Sequence, residues 1–206
     1  MSIVGYRIRG IYGEPGLAYD YIMDGNGLWI EANGPLMSAC VLVAAAKIRG
    51  LPSYAARLEL RHGKIPQRLW ELALSVILAS PEKERYVGIL WHEGYQLYVP
   101  EQAGDGGRVE YLTGADVLVE FHSHPGSIGS AFSPIDDRDE QGFKIYGVVG
   151  ELNERMPVVA LRLGIYGYWM PIAWGDIFEG HLQGVIDIFD MLKKDEQDDL
   201  SLTDNQ

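Results

Sequence analysis

The sequence predicts an α/β protein, a mixed β-sheet flanked by helices, with a β-rich extension in front of it. Three observations point there. Residues 1–62 carry short alternating apolar and polar runs broken by Gly and Asn, the pattern of half-buried strands. From Pro66 the apolar spacing becomes helical. After Tyr86, strand-length apolar runs alternate with two short helical stretches, an order that suits helices lying against a sheet.

In the extension, Tyr19–Met23 and Leu28–Glu31 flank DGNG, a hairpin signal. Ala39–Ile48 fits a strand or a short helix, since its periodicity does not decide, and Tyr54–Leu60 alternates as a further strand. Pro66 suits the first position of a helix, because its missing N–H would have no helical partner there. Leu69, Trp70, Leu72, Ala73, Val76 and Ile77 then form its apolar stripe, and Ser80 and Pro81 end it. Tyr86–Trp91 and Tyr95–Val99 read as a hairpin across His92, Glu93 and Gly94. Gly104, Asp105, Gly106 and Gly107 form a loop without the helix context of a phosphate cradle, and Val109–Leu112 is a short strand. Lys144–Gly150, Val158–Gly164 and Tyr166–Met170 continue as strands, and a last helix spans about Val185–Lys194. The expected organisation is an extension over 1–62, a main domain over 63–192, and an acidic tail over 193–206 too polar to fold back.

Composition narrows the function classes. The net charge of −12 repels phosphate backbones, so we expect no nucleic-acid partner. The single cysteine, Cys40, excludes an internal disulfide and reads as a small buried hydrophobe. MSIVGYRIRG lacks the apolar core of a signal peptide, and the most apolar segment, ACVLVAAAKIRG, is too short to span a bilayer. A cytoplasmic protein without membrane partners is expected.

The chemistry concentrates in VLVEFHSHPGSIGSAFSPID, Val117–Asp136. Side chains two apart on a strand share a face, so His122 and His124 can offer imidazole nitrogens to one ion while Ser123 faces away. Pro125 and Gly126 end the strand. Ser133, Pro134 and Asp136 then read as the N-cap, first and third positions of a helix. Two imidazoles and one carboxylate suit zinc, and three protein ligands leave a position open for water. A capping box by itself accounts for Ser133 and Asp136, but it explains neither histidine. Glu120, on the face of His122, is a candidate to orient that imidazole.

His122, Ser123, His124 and Pro125, followed by Ser133 and Asp136, resemble the signature of the JAMM (MPN+, JAB domain) metalloproteases. Eight residues separate His124 from Ser133, one more than the usual pattern, and Asp137 is the alternative carboxylate. More narrowly, FSPIDDRDEQGFKIYGVVG is similar to the JAB-domain proteins of bacterial PRTRC systems. The resemblance implies an α/β sandwich over residues 65–175, a Zn2+ cofactor, and an upstream glutamate that serves as general base. Glu84 in PEKERYVGILW is our choice for that base, with Glu82 the competitor. It also implies that Ser133 stabilises the oxyanion. The implied substrate is a peptide or isopeptide bond at the C-terminal tail of a ubiquitin-like or sulfur-carrier-like protein, with an adenylating (E1-like) enzyme as a companion. A catalytically silent interaction scaffold and a zinc hydrolase of small-molecule amides are the alternatives.

Overall fold

Alternating side chains and tight turns build most of this chain. The computed structural model describes residues 2–101, 103–105, 108–110 and 116–192. The acidic tail at 193–206, and the parts of the expected glycine loop and short strand at 106–107 and 111–112, lie outside the described residues. The fold class expected from sequence is corrected: among the described residues strand makes up 42% and helix 15%, in two mixed sheets, and no helix-flanked α/β arrangement is formed by them. The physical reason lies in the connections. Most neighbouring strands are antiparallel and joined by short turns, so they need no crossover helix.

The chain divides into two compact units. The first comprises Met1–Gly63, Glu140–Phe143 and Gly164–Met170. Its sheet runs in sequence order through β1 (Val4–Ile8), β2 (Tyr19–Asp24), β3 (Gly27–Asn33), β4 (Met37–Ala45) and β5 (Arg57–Leu60). The DGNG signal forms the β2–β3 hairpin, Asp24 opposite Gly27. The ambiguous Ala39–Ile48 stretch belongs largely to β4, which is paired on both sides. Ile22, Trp29 and Cys40 form a buried cluster, and burial pushes the Cys40 thiol up, away from reactive thiolate.

The second unit comprises Lys64–Asp139, Lys144–Leu163 and Pro171–Gln206. It opens with α1 (Gln67–Leu78), where Pro66 is the N-cap and not the first helical residue, so the helix starts one residue later than expected. There follow β6 (Tyr86–Trp91), β7 (Tyr95–Tyr98), the small pair β8 (Ala103–Asp105) and β9 (Arg108–Glu110), and β10 (Val117–Ser123). The chain continues through α2 (Pro134–Asp139), β11 (Phe143–Gly150), β12 (Val158–Ile165), β13 (Tyr168–Ile172), α3 (Trp174–Ile177) and β14 (Ile186–Asp187). The main sheet has the order β13-β12-β11-β10-β6-β7, with β14 beside β12. The helix expected over Val185–Lys194 starts late: Ile186 and Asp187 pair with Val158 and Val159, and the described helical residues are 188–192, with Lys193 and Lys194 outside the described residues. Asp187 fixes that change, because its carboxylate accepts the N–H groups of Trp174 and Phe189.

β10 is central and buried along its whole length. It pairs antiparallel with β6 and parallel with β11. Phe121 packs on Trp70 of α1, ring centroids 5.3 Å apart, within a cluster that includes Trp174 and Phe178. Alternation then puts Glu120 and His122 on the sheet face away from α1. Among the described residues no helix is long and apolar enough to cross a membrane.

Candidate metal centre

The strand period delivers the two histidines. His122 lies opposite Tyr86 on β6 and Val148 on β11, and the ladder runs one step further, where the His124 N–H donates to the carbonyl of Val149 at 2.9 Å. Gly126, in the left-handed region at φ 66, turns the chain away, and its N–H donates to the Pro81 carbonyl at 2.8 Å. The loop then returns so that His124 Nδ1 meets the carbonyl oxygen of Gly129 at 2.6 Å. A carbonyl only accepts, so Nδ1 carries the hydrogen and the neutral ring keeps its lone pair on Nε2. Such an outer hydrogen bond orients a metal-binding imidazole.

Helix α2 delivers the carboxylate. Ser133 Oγ accepts the N–H groups of Ile135 and Asp136, each at 3.2 Å, while Asp136 Oδ2 accepts the Ser133 N–H at 2.5 Å. This is a reciprocal capping box. It leaves the other oxygen, Oδ1, 3.4 Å from His122 Nε2. The capping and metal readings of Asp136 are therefore compatible, one oxygen to each.

His122, His124 and Asp136 bring ligand atoms within 4.8 Å of one another, a group that could hold a metal ion. The donor set fits one. Atoms held about 2.0–2.1 Å from a tetrahedral zinc lie about 3.4 Å apart, the separation of His122 Nε2 from Asp136 Oδ1. That separation is too long for a strong charge-assisted hydrogen bond, at about 2.7–2.9 Å. Asp137, the alternative carboxylate, instead forms an ion pair with Arg162 at 2.6 Å.

Burial drives the His122 imidazole down to about 4; the Asp136 carboxylate opposes the shift, while His124 and Arg162 reinforce it. The ring is neutral at pH 7, the form that binds metal. Its ordinary value is 6.5, so between there and about 4 the unfolded chain binds the extra proton. Stability of the metal-free protein is therefore full above about 6.5 and falls as the pH drops towards 4, by a loss on the order of 3 kcal/mol. Urea unfolding at pH 7 and 4.5 measures this. A His122→Gln variant with the same pH dependence as wild type would show that this imidazole is not the cause.

Glu84 and Glu82 differ in place. The segment before β6 is clamped to the end of β10: the Arg85 N–H donates to the buried Ser123 Oγ at 2.9 Å, and the Ser123 N–H donates to the Arg85 carbonyl at 2.9 Å. Glu84 is half-buried there, whereas Glu82 is exposed. Burial pushes the Glu84 carboxyl up; His124 pulls it down and the Asp136 charge pushes it further up. Glu84 therefore feels the charges of the cluster. Glu120 is buried and pairs with Lys144, giving it a charge partner on β11.

Arg162 was not anticipated. It lies buried on β12, paired with Asp137, with its guanidinium carbon 3.8 Å from the centroid of the Phe132 ring. A single charge in the otherwise apolar strand VVALRLGI was the available signal. No family model and no curated protein sequence matches the chain.

Proposed function

We propose that this protein is a zinc-dependent hydrolase that cleaves a peptide or isopeptide bond at the C-terminal tail of a ubiquitin-like or sulfur-carrier-like protein. The observation that carries the reading is the convergence of His122, His124 and Asp136, with Glu84 electrostatically coupled to the last two. Two imidazole nitrogens and one carboxylate oxygen are a donor set that zinc takes in hydrolases, with a further position left for water. Bound by these residues, zinc would polarise a carbonyl and acidify water.

The chain's own groups supply the rest. Glu84, raised by burial, accepts the water proton and returns it to the leaving amine. Ser133 Oγ already accepts two backbone N–H groups, which leaves its hydroxyl hydrogen to donate to the developing oxyanion. The likeness of His122-Ser123-His124-Pro125, Ser133 and Asp136 to the JAMM signature supports the substrate class and an adenylating companion enzyme. The buried lone cysteine agrees with a reducing, cytoplasmic setting.

Metal analysis of the full chain tests the reading. Wild type should carry about one zinc per chain after incubation with zinc and desalting, and His124→Ala should lose it. Stoichiometric zinc in the variant would refute the ligand assignment. No zinc in wild type would remove the hydrolase reading.

A further inference from the structure

Arg162 is 7% exposed, and a buried guanidinium is costly unless it is paired. It is held on two sides, and both holds adjoin the metal centre. Its Nη1 lies 2.6 Å from Oδ1 of Asp137, the residue after Asp136. Its guanidinium also lies over the ring of Phe132, the residue before the Ser133 cap. The Phe132 ring in turn meets the His122 imidazole at 76°, with centroids 6.5 Å apart. One side chain thus grips the polypeptide just before and just after the capping box. Helix α2 has only six residues and buries none of them, so its own packing cannot fix its orientation.

We propose that Arg162 is a positioning residue: by gripping Phe132 and Asp137 it seats α2 over the end of β10, and so sets the direction in which Asp136 presents Oδ1 beside His122. This rests on the metal reading above. Arg162 acts through its neighbours and touches neither substrate nor reacting atoms. The site requires a planar cation that can stack on a ring and hydrogen-bond an acid at once, which lysine is not.

The test uses the full chain with Arg162→Lys, Asp137→Asn and the double variant. Zinc affinity is measured by competition with a chromophoric chelator, the ligand field by the visible spectrum of the Co2+-loaded protein, and folding by metal-free melting. Each single variant should bind zinc about 10- to 100-fold more weakly, the cost typical of losing an outer-layer partner. Each should also alter the cobalt spectrum, and the double should be little worse than the weaker single because one contact has been broken twice. Asp137 is half-exposed, so Asp137→Asn remains informative if Arg162→Lys fails to fold. Folded variants with wild-type zinc affinity and an unchanged cobalt spectrum would overturn the proposal, as would fully additive losses. If wild type itself takes up no metal, the zinc reading fails first and this inference with it; normal wild-type binding with unaffected variants sinks the inference alone.

Discussion

Glu84→Gln should leave the zinc content unchanged and lower hydrolysis of a ubiquitin-like fusion by about 10²- to 10⁴-fold, the range lost with a general base. Glutamine keeps the shape of the side chain but cannot accept and return a proton. The metal should stay because the three ligand atoms come from β10, the residue after it and α2, whereas Glu84 sits on the separate segment before β6. The sign of the pH dependence follows from the raised Glu84 carboxyl. The base works only when deprotonated, so activity should rise with pH through a value above the ordinary 4.5. Glu82→Gln, at an exposed position, is the comparison and should retain the wild-type rate. A Glu84→Gln enzyme as fast as wild type would remove Glu84 from the mechanism. If Glu82→Gln were the slow variant, the base would have been assigned two residues too late.

The parts of the site legible in the sequence were those set by local geometry. His122 and His124 share a ligand group because a strand repeats every two residues, and the Ser133–Asp136 box follows from helix capping at a spacing of three. Glu84 has no such local signal. By charge it is an ordinary acid at a helix-to-strand junction, and its nearness to His124 depends on the pairing of Arg85 with Ser123, 38 residues apart. Arg162 is hidden for the same reason, since its contact with Asp137 spans 25 residues. The strands were mostly legible one by one, but their balance against helix was not. Val185–Lys194 reads as one helix by composition, yet pairing of Ile186 and Asp187 with β12 claims its first turn. Tertiary pairing overrode local propensity there, and the α/β expectation failed with it.

Asp136 is the position where stability and metal binding should separate most sharply, because its two oxygens have different partners. Oδ2 accepts the Ser133 N–H, and Oδ1 lies 3.4 Å from His122 Nε2. An asparagine has one acceptor oxygen and one amide nitrogen. If its oxygen takes the Ser133 N–H, an NH2 group faces the imidazole and offers no lone pair to a metal. Asp136→Asn should therefore fold with its cap intact and lose zinc affinity by more than the roughly 10- to 100-fold of an outer-layer change. Asp136→Ala loses both roles and should cost about 1 kcal/mol more in the metal-free state. Urea unfolding with and without zinc reads the two effects apart. Zinc at about one hundred times its Kd adds about 2.7 kcal/mol to wild type, and both variants should lack that increment at the same concentration. If Asp136→Asn keeps it, Oδ1 is not a ligand. If the two variants unfold together without metal, Oδ2 is not a stabilising cap, and the short helix must be held by the grip of Arg162 on Phe132 before it and Asp137 within it.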